Sequence, residues 1–113
     1  MPQGEAIVAI LRRGDRLLAI RRGPGVARPG YWQPLSGRIE PGESQEEAVV
    51  REVREEVGLS ATPLAKVWES ETDDGTFRLH WWTADAPDGE VVPDPYEVGD
   101  FRWVTPEEFL ALD

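Results

Sequence analysis

Glu52, Glu55 and Glu56 stand within one helical turn and a half of each other. At the α-helical period they fall on one stripe, beside an apolar stripe of Val49, Val50, Val53 and Val57, with Arg51, Arg54 and Glu47 pointing away. Like charges at these separations destabilise a helix by roughly 0.2–0.5 kcal/mol per pair. The dipole near a helix C-terminus also disfavours anions. A divalent cation reverses the sign of both effects. Three carboxylates facing one point are hard oxygen ligands of the kind that Mg2+, Mn2+ or Ca2+ accept. A solvated acidic face is the ordinary alternative for a helix of this composition, and only the wider spacing separates the two.

The elements that would carry these glutamates are marked at both ends. Ser44 is placed to act as N-cap, with Glu47 three residues on to complete a capping box. Gly58 and Leu59 supply a left-handed residue and an apolar contact that close the helix. Before it lies a loop containing Glu40-Pro41-Gly42-Glu43. Upstream, residues 5–11 and 16–22 are short apolar runs rich in Ile, Val and Leu, joined at Arg13-Gly14-Asp15, which predicts a β-hairpin. Residues 23–30 (GPGVARPG) read as a loop, and Tyr31–Ser36 as a strand leading to Gly37. Downstream, 61–71 starts extended, with Pro63 near a strand's beginning or on an edge and Lys66-Val67-Trp68-Glu69 as the strand core. Thr72–Gly75 forms a turn. Residues 76–84 alternate, with Phe77, Leu79, Trp81 and Thr83 on one side and Arg78, His80 and Trp82 on the other. Residues 85–96 read as a loop with a short extended piece at Glu90-Val91-Val92. Phe101–Val104 is a last strand, and Thr105, Pro106 and Glu108 open a brief helix over 106–112. The order β-β-β-α-β-β-β-α gives an α/β protein with a mixed sheet between helices.

The full spacing is Gly37, five residues, Glu43, seven residues, then Arg51-Glu52-Val53-Arg54-Glu55-Glu56-Val57-Gly58-Leu59. Every fixed position matches the Nudix box, GX5EX7REUXEEXGU with U a bulky aliphatic residue. The chain therefore resembles the Nudix hydrolases, which cleave a nucleoside diphosphate linked to another moiety. That resemblance implies the α/β/α sandwich of the Nudix fold and a divalent metal, Mg2+ with Mn2+ as a substitute. It implies that Glu52, Glu55 and Glu56 are metal ligands together with the carbonyl of Gly37, and that Glu43 and Arg51 brace the loop and the helix. It also draws attention to Glu97, six residues before Trp103. Many relatives place there a further glutamate that ligates metal or orients the attacking water. Asp94 and Asp100 are the acids that would reach in if Glu97 does not. Pro93, Pro95 and Gly99 around it read as a stiff loop with one permissive point, able to swing a carboxylate over substrate.

Composition narrows the function further. With 113 residues the chain is expected to form one domain, residues 1–113. Twelve basic residues against 22 acidic ones give a net charge of −10, which opposes binding to a nucleic acid polymer. An acidic protein that handles phosphates needs local neutralisation, and divalent metal is the obvious source. No apolar run is long enough for a membrane span, and no signal-peptide pattern opens the chain, so a cytoplasmic protein, monomer or homodimer, is expected. The absence of cysteine excludes a disulfide framework, a zinc–thiolate site and a thiol nucleophile. Ser36 and Ser44 have no histidine arranged toward them, so no covalent nucleophile is offered.

Pyrophosphate cleavage needs an activated water, a held phosphorus and positive charge on the leaving oxygens. Arg38, directly after Gly37, is placed to touch a substrate phosphate or to pair with Glu40. Arg22 or Arg21 is placed to touch a phosphate from the hairpin end. Five tryptophans are many for this length. Most are expected in the core, but a nucleoside ring could stack on Trp32 or on one of Trp81 and Trp82, which face opposite ways. Tyr31-Trp32-Gln33 with Ser36-Gly37 also resembles dihydroneopterin triphosphate pyrophosphatases. A non-catalytic nucleotide-sensing module on the same fold is the alternative from another class. Such modules lose box glutamates, and all are kept here.

Overall fold

The computed structural model describes residues 4–24 and 30–112. The part of the predicted loop at 25–29 lies outside the described residues. Two strands, β1 (Gly4–Arg13) and β2 (Arg16–Arg22), form the expected hairpin across a turn at Gly14 and Asp15. The predicted third strand is divided into two short pieces, β3 (Trp32–Gln33) and β4 (Leu35–Arg38), interrupted at Pro34, which cannot donate to a ladder. They serve different neighbours: β3 pairs with β2, and β4 pairs with β1, setting Gly37 opposite Ile7. The helix α1 (Gln45–Val57) follows. After it come β5 (Thr62–Glu71), β6 (Phe77–Asp85), β7 (Val98–Val104) and a short helix α2 (Pro106–Leu110).

The sheet runs β3-β2-β1-β6-β5, with β4 also on β1 and β7 also on β2. The β1–β6 pair is parallel and the others are antiparallel, so the sheet is mixed. Pro63 sits second in β5, the edge strand, where a missing N–H costs least. β1 is central and buried on both faces. Its Ile7, Ala9 and Leu11 meet Val49, Val53 and Val57 of α1, joined by Leu18, Ile20 and Leu35. The apolar stripe of α1 is shifted from the expected one. Ala48 is fully buried and Val50 is only partly so, because the sheet approaches the helix on the side of Glu52 and Glu56.

Both helix starts are built as the caps require. Ser44 Oγ accepts from the Glu47 amide at 3.1 Å while Glu47 Oε1 accepts from the Ser44 amide at 2.8 Å, and Thr105 with Glu108 repeats the arrangement. Gly58 ends α1 at φ 71°, the left-handed region that glycine enters without Cβ strain. The second helix stops at Leu110 and buries no residue. No strand forms at Glu90-Val91-Val92. The backbone there is used differently: the Val92 amide donates to the Val57 carbonyl at 2.8 Å and the Asp94 amide to the Glu56 carbonyl at 2.8 Å. This loop therefore satisfies carbonyls that the end of α1 leaves open.

Arg13 pins the start of that loop. Its Nε donates to the Ala86 carbonyl at 2.8 Å, its Nη2 to the Asp88 and Gly89 carbonyls at 2.8 and 3.0 Å, and its guanidinium lies 4.4 Å from the centroid of the Trp103 ring. Arg13→Ala is expected to lower unfolding free energy by about 2 kcal/mol, since charged hydrogen bonds and a cation–π contact are lost together. Urea denaturation checks this, and an unchanged midpoint would show the clamp to be superfluous.

Candidate metal centre and active site

The site is assembled from four segments. From α1 come Glu52 and Glu56, which are only 8 % and 4 % exposed. From the turn before β7 comes Glu97, half-buried. One carboxylate oxygen from each of these three residues lies within 4.8 Å of the others. From β4 comes Gly37, packed so closely on Glu52 that a Cβ there would stand 2.0 Å from Glu52 Cδ and 2.3–2.4 Å from its two oxygens. No larger residue fits while Glu52 keeps its place. At the end of β2, Arg22 is near enough to draw down the pKa of both Glu56 and Glu97.

The electrostatics of this cluster are those of anions without enough counter-charge. Burial first, then Glu52 and Glu97, push the Glu56 carboxyl up to about 10, with Arg22 opposing. Glu97 is pushed up as well, by burial first and then by Glu52, Asp94 and Glu55. Glu56 Oε2 is buried with no hydrogen-bond partner. An orphaned buried oxygen, three converging carboxylates and a glycine that leaves room beside them fit a divalent cation.

Arg51 does not point away from the acidic stripe. Its Nε and Nη2 donate to the two oxygens of Glu43 at 2.7 and 2.9 Å, its Nη1 to Glu52 Oε1 at 2.6 Å and to Glu55 Oε2 at 3.2 Å, and its Nη2 also to the Arg38 carbonyl at 2.8 Å. Glu43 additionally accepts from the Glu40 amide at 3.0 Å. The hydrogen bond from Arg51 holds the Glu43 carboxyl below the usual carboxylate range, and the same pair keeps Arg51 firmly protonated. Arg51 thus ties the loop, the strand carrying Gly37 and the helix to one guanidinium. Its position one turn before Glu55 is what brings it onto their side of the helix.

The remaining candidates separate. The Glu55 side chain is 55 % exposed, pairs with Arg51 and stands outside the three-carboxylate group. Arg38, one residue past Gly37, leaves β4 on the opposite side of the sheet and lies 4.9 Å from the Phe77 ring centroid rather than on Glu40, which instead faces Arg51 at 3.5 Å. Trp32 and Trp81 share that opposite face. The first is stacked under Arg102 at 4.9 Å, and the second lies against Trp68 with centroids 5.4 Å apart and donates to Ser70. Trp82 is turned under α1, packs on the core and donates to Gln45 at 2.9 Å. The expectation that most tryptophans are core does not hold. None is fully buried, and Trp68 is 61 % exposed on β5, which ends the sheet among the described residues. His80 is buried between two carboxylates, its Nε2 2.9 Å from Glu5 and its Nδ1 3.2 Å from Glu69 but out of line for a hydrogen bond, so it links β1, β6 and β5.

Two residues were not singled out from the sequence for what they do here. Gly23, at the end of β2, touches the Glu97 turn. Asp94, weighed only as a rival acid, has its Oδ1 occupied by the Tyr96 and Glu97 amides at 2.8 and 3.3 Å. Asp100 is exposed and accepts from the Phe101 amide. The one available signal was the Gly-Pro-Gly run directly after Arg22.

A family model described as NUDIX domain matches residues 1–113. The chain belongs to the Nudix family. Among relatives, it is 37 % identical over 107 residues to the NAD-capped RNA hydrolase NudC of Stutzerimonas stutzeri, covering 95 % of this chain and 38 % of that protein. It is 34 % identical over 108 residues to the CTP pyrophosphohydrolase of Escherichia coli, covering 94 % and 78 %. The solution structure of the E. coli ORF135 protein superposes with a TM-score of 0.77 at 31 % identity, covering 99 % of this chain and 80 % of that one. The Nudix chain here therefore spans little more than a third of the length of NudC. Among the described residues no helix is long and apolar enough to cross a membrane.

Proposed function

We propose that this Nudix domain hydrolyses a pyrophosphate bond in a nucleoside triphosphate or related nucleotide diphosphate, using divalent metal held by Glu52, Glu56 and Glu97. The observation that carries this reading is the convergence of those three carboxylates within 4.8 Å, around the unpartnered Glu56 Oε2. A divalent ion bound there supplies positive charge for phosphoryl oxygens and a water of lowered pKa. Mg2+ is the physiological choice, with Mn2+ as a substitute.

The chain's own residues divide the remaining work. Glu52 is fixed by Arg51, itself fixed by Glu43, so the first ligand does not have to be ordered when metal arrives. Gly37 lets the β4 backbone approach Glu52, and its carbonyl would be a further ligand to the ion. Glu97 is the acid best placed to accept a proton from the attacking water, since its carboxylate stands beside Glu52 and Glu56 while Asp94 is engaged by backbone amides. Glu55, paired with Arg51 at the exposed rim, would be available to hold a further ion. Arg22, whose charge opposes the rise in pKa of both Glu56 and Glu97, is the cation we assign to a substrate phosphate. Trp82 is turned under the helix, and Trp32, Trp81 and Arg38 lie on the face of the sheet opposite the glutamates, so a base stacking on either ring has to reach round the sheet edge from the metal-bound phosphates.

The likeness to the CTP pyrophosphohydrolase, of which the chain spans 78 %, favours a nucleoside triphosphate over the larger substrate named for NudC. The domain would then act in the cytoplasm without a nucleic acid polymer as partner. The test is release of phosphate or pyrophosphate from nucleoside triphosphates, dinucleoside polyphosphates, nucleotide sugars and dihydroneopterin triphosphate, with and without Mg2+. Hydrolysis only with Mg2+ is expected, and no release from any member would refute the reading. Inorganic tripolyphosphate belongs in the same panel. It should be cleaved at least ~10-fold less efficiently than a nucleoside triphosphate, because a stacked base contributes ~1–3 kcal/mol, and equal efficiency would mean that the rings only pack.

A further inference from the structure

We infer that Asp94 and Gly23 are positioning residues that preset the Glu97 carboxylate against Glu52 and Glu56. The inference rests on the reading of Glu97 as a metal ligand. Glu97 lies in no strand or helix; it is the last residue of a turn, and β7 begins only at Val98. The ladder alone does not fix it: the pairing of β2 with β7 slips between Arg21 and Arg22 and its last pair is Arg22 with Val98, one residue short of Glu97. Its placement must come from other contacts, and two sets are present.

On the helix side, the Asp94 amide donates to the Glu56 carbonyl at 2.8 Å, so the turn is attached to a residue whose side chain Glu97 must meet. The Asp94 side chain then folds back over the turn: Oδ1 accepts from the Tyr96 amide at 2.8 Å and the Glu97 amide at 3.3 Å, and the Asp94 carbonyl accepts from the Val98 amide at 2.8 Å. Such self-bonding is how aspartate fixes a turn. On the strand side, the Gly23 amide donates to the Glu97 carbonyl at 2.8 Å. A Cβ on Gly23 would stand 2.5 Å from the Tyr96 carbonyl oxygen, 2.7 Å from Glu97 C and 2.9 Å from Val98 N. All three are backbone atoms, so no side-chain rotation relieves the clash. Glu97 is thus held between the end of α1 and the end of β2. A stiff loop that swings in over substrate does not describe it; the carboxylate is already in place.

The experiment compares Asp94→Ala, Asp94→Asn, Gly23→Ala and Glu97→Gln, and the double variant Asp94→Ala/Glu97→Gln. Mn2+ affinity is read from the free-ion EPR signal, kcat and KM from Mg2+-supported turnover, and folding from circular dichroism. Asp94→Ala is expected to weaken Mn2+ binding and lower kcat by ~10–100-fold, the usual loss when support of a metal ligand is removed, with KM little changed. Asp94→Asn, which keeps the acceptor oxygen without the charge, should restore most of both. Gly23→Ala should reproduce the loss; the Asp94 set decides the matter if that variant does not fold. In the Glu97→Gln background, Asp94→Ala should have no further effect. Additive losses in the double variant, normal Mn2+ affinity in Asp94→Ala, or an Asn variant as impaired as the Ala variant would each overturn the positioning role. A silent Glu97→Gln would instead remove the ligand role of Glu97, and the inference with it.

Discussion

Gly37→Ala is expected to reduce Mg2+-dependent turnover by ~10²-fold or more in a chain that stays folded. The added Cβ would lie 2.0 Å from Glu52 Cδ, a distance no real contact tolerates. What stands in the way is the tip of a side chain, so the clash is relieved by moving Glu52 and not by breaking the β4–β1 pairing that seats Gly37 opposite Ile7. Glu52 cannot move freely, because Arg51 holds its Oε1 at 2.6 Å. The displaced carboxylate therefore leaves the group it forms with Glu56 and Glu97. Melting temperature and Mn2+ affinity measured together separate the two effects: affinity should fall while cooperative melting persists. Normal turnover in this variant would show that Glu52 is not required where it stands.

Glu56→Gln should remove nearly all turnover and also flatten the pH dependence of stability in metal-free protein. The Glu56 carboxyl is pushed from 4.5 up to about 10 on folding, burial being the largest cause. Across that interval the folded chain keeps a proton that the unfolded chain releases. Its contribution to stability is fully present below pH about 4.5 and is lost as pH rises through about 10. Glutamine keeps the uncharged state at every pH. In chelator, wild type should lose more melting temperature than Glu56→Gln between about pH 5 and about pH 9. Metal takes the proton's place, so ion binding should strengthen as pH rises and release a proton. Parallel pH profiles for the two proteins would mean that Glu56 is not buried as described.

The parts of this Nudix domain that follow from local rules were legible in its sequence. Ser44 with Glu47, Thr105 with Pro106 and Glu108, and Gly58 after Val57 each act within one helical turn, so the caps could be placed from residue type alone. The hairpin, the edge position of Pro63 and the glycine-to-helix spacing belong to the same class. What was not legible depended on packing between distant segments. Glu55 and Glu56 are neighbours on one stripe, and only the approach of β4 and the Glu97 turn decides that one is buried and the other paired with Arg51. Trp81 and Trp82 alternate by rule, yet which of them goes under α1 depends on the side of the sheet the helix occupies. The Glu90–Val92 segment carries strand-forming residues, but its Val92 amide is taken by the Val57 carbonyl at the end of α1 instead of by a partner strand. Arg51 was within reach of local reasoning, since a four-residue separation from Glu55 puts both on one face.

The most direct test of the metal centre is a crystal of the protein soaked in Mn2+, with anomalous differences collected at the manganese edge. An ion coordinated by oxygens of Glu52, Glu56 and Glu97, close under Gly37, is the predicted result. An ion seated elsewhere, for example on Glu55 and Arg22's surroundings without Glu56, or no ion at millimolar Mn2+, would contradict the account.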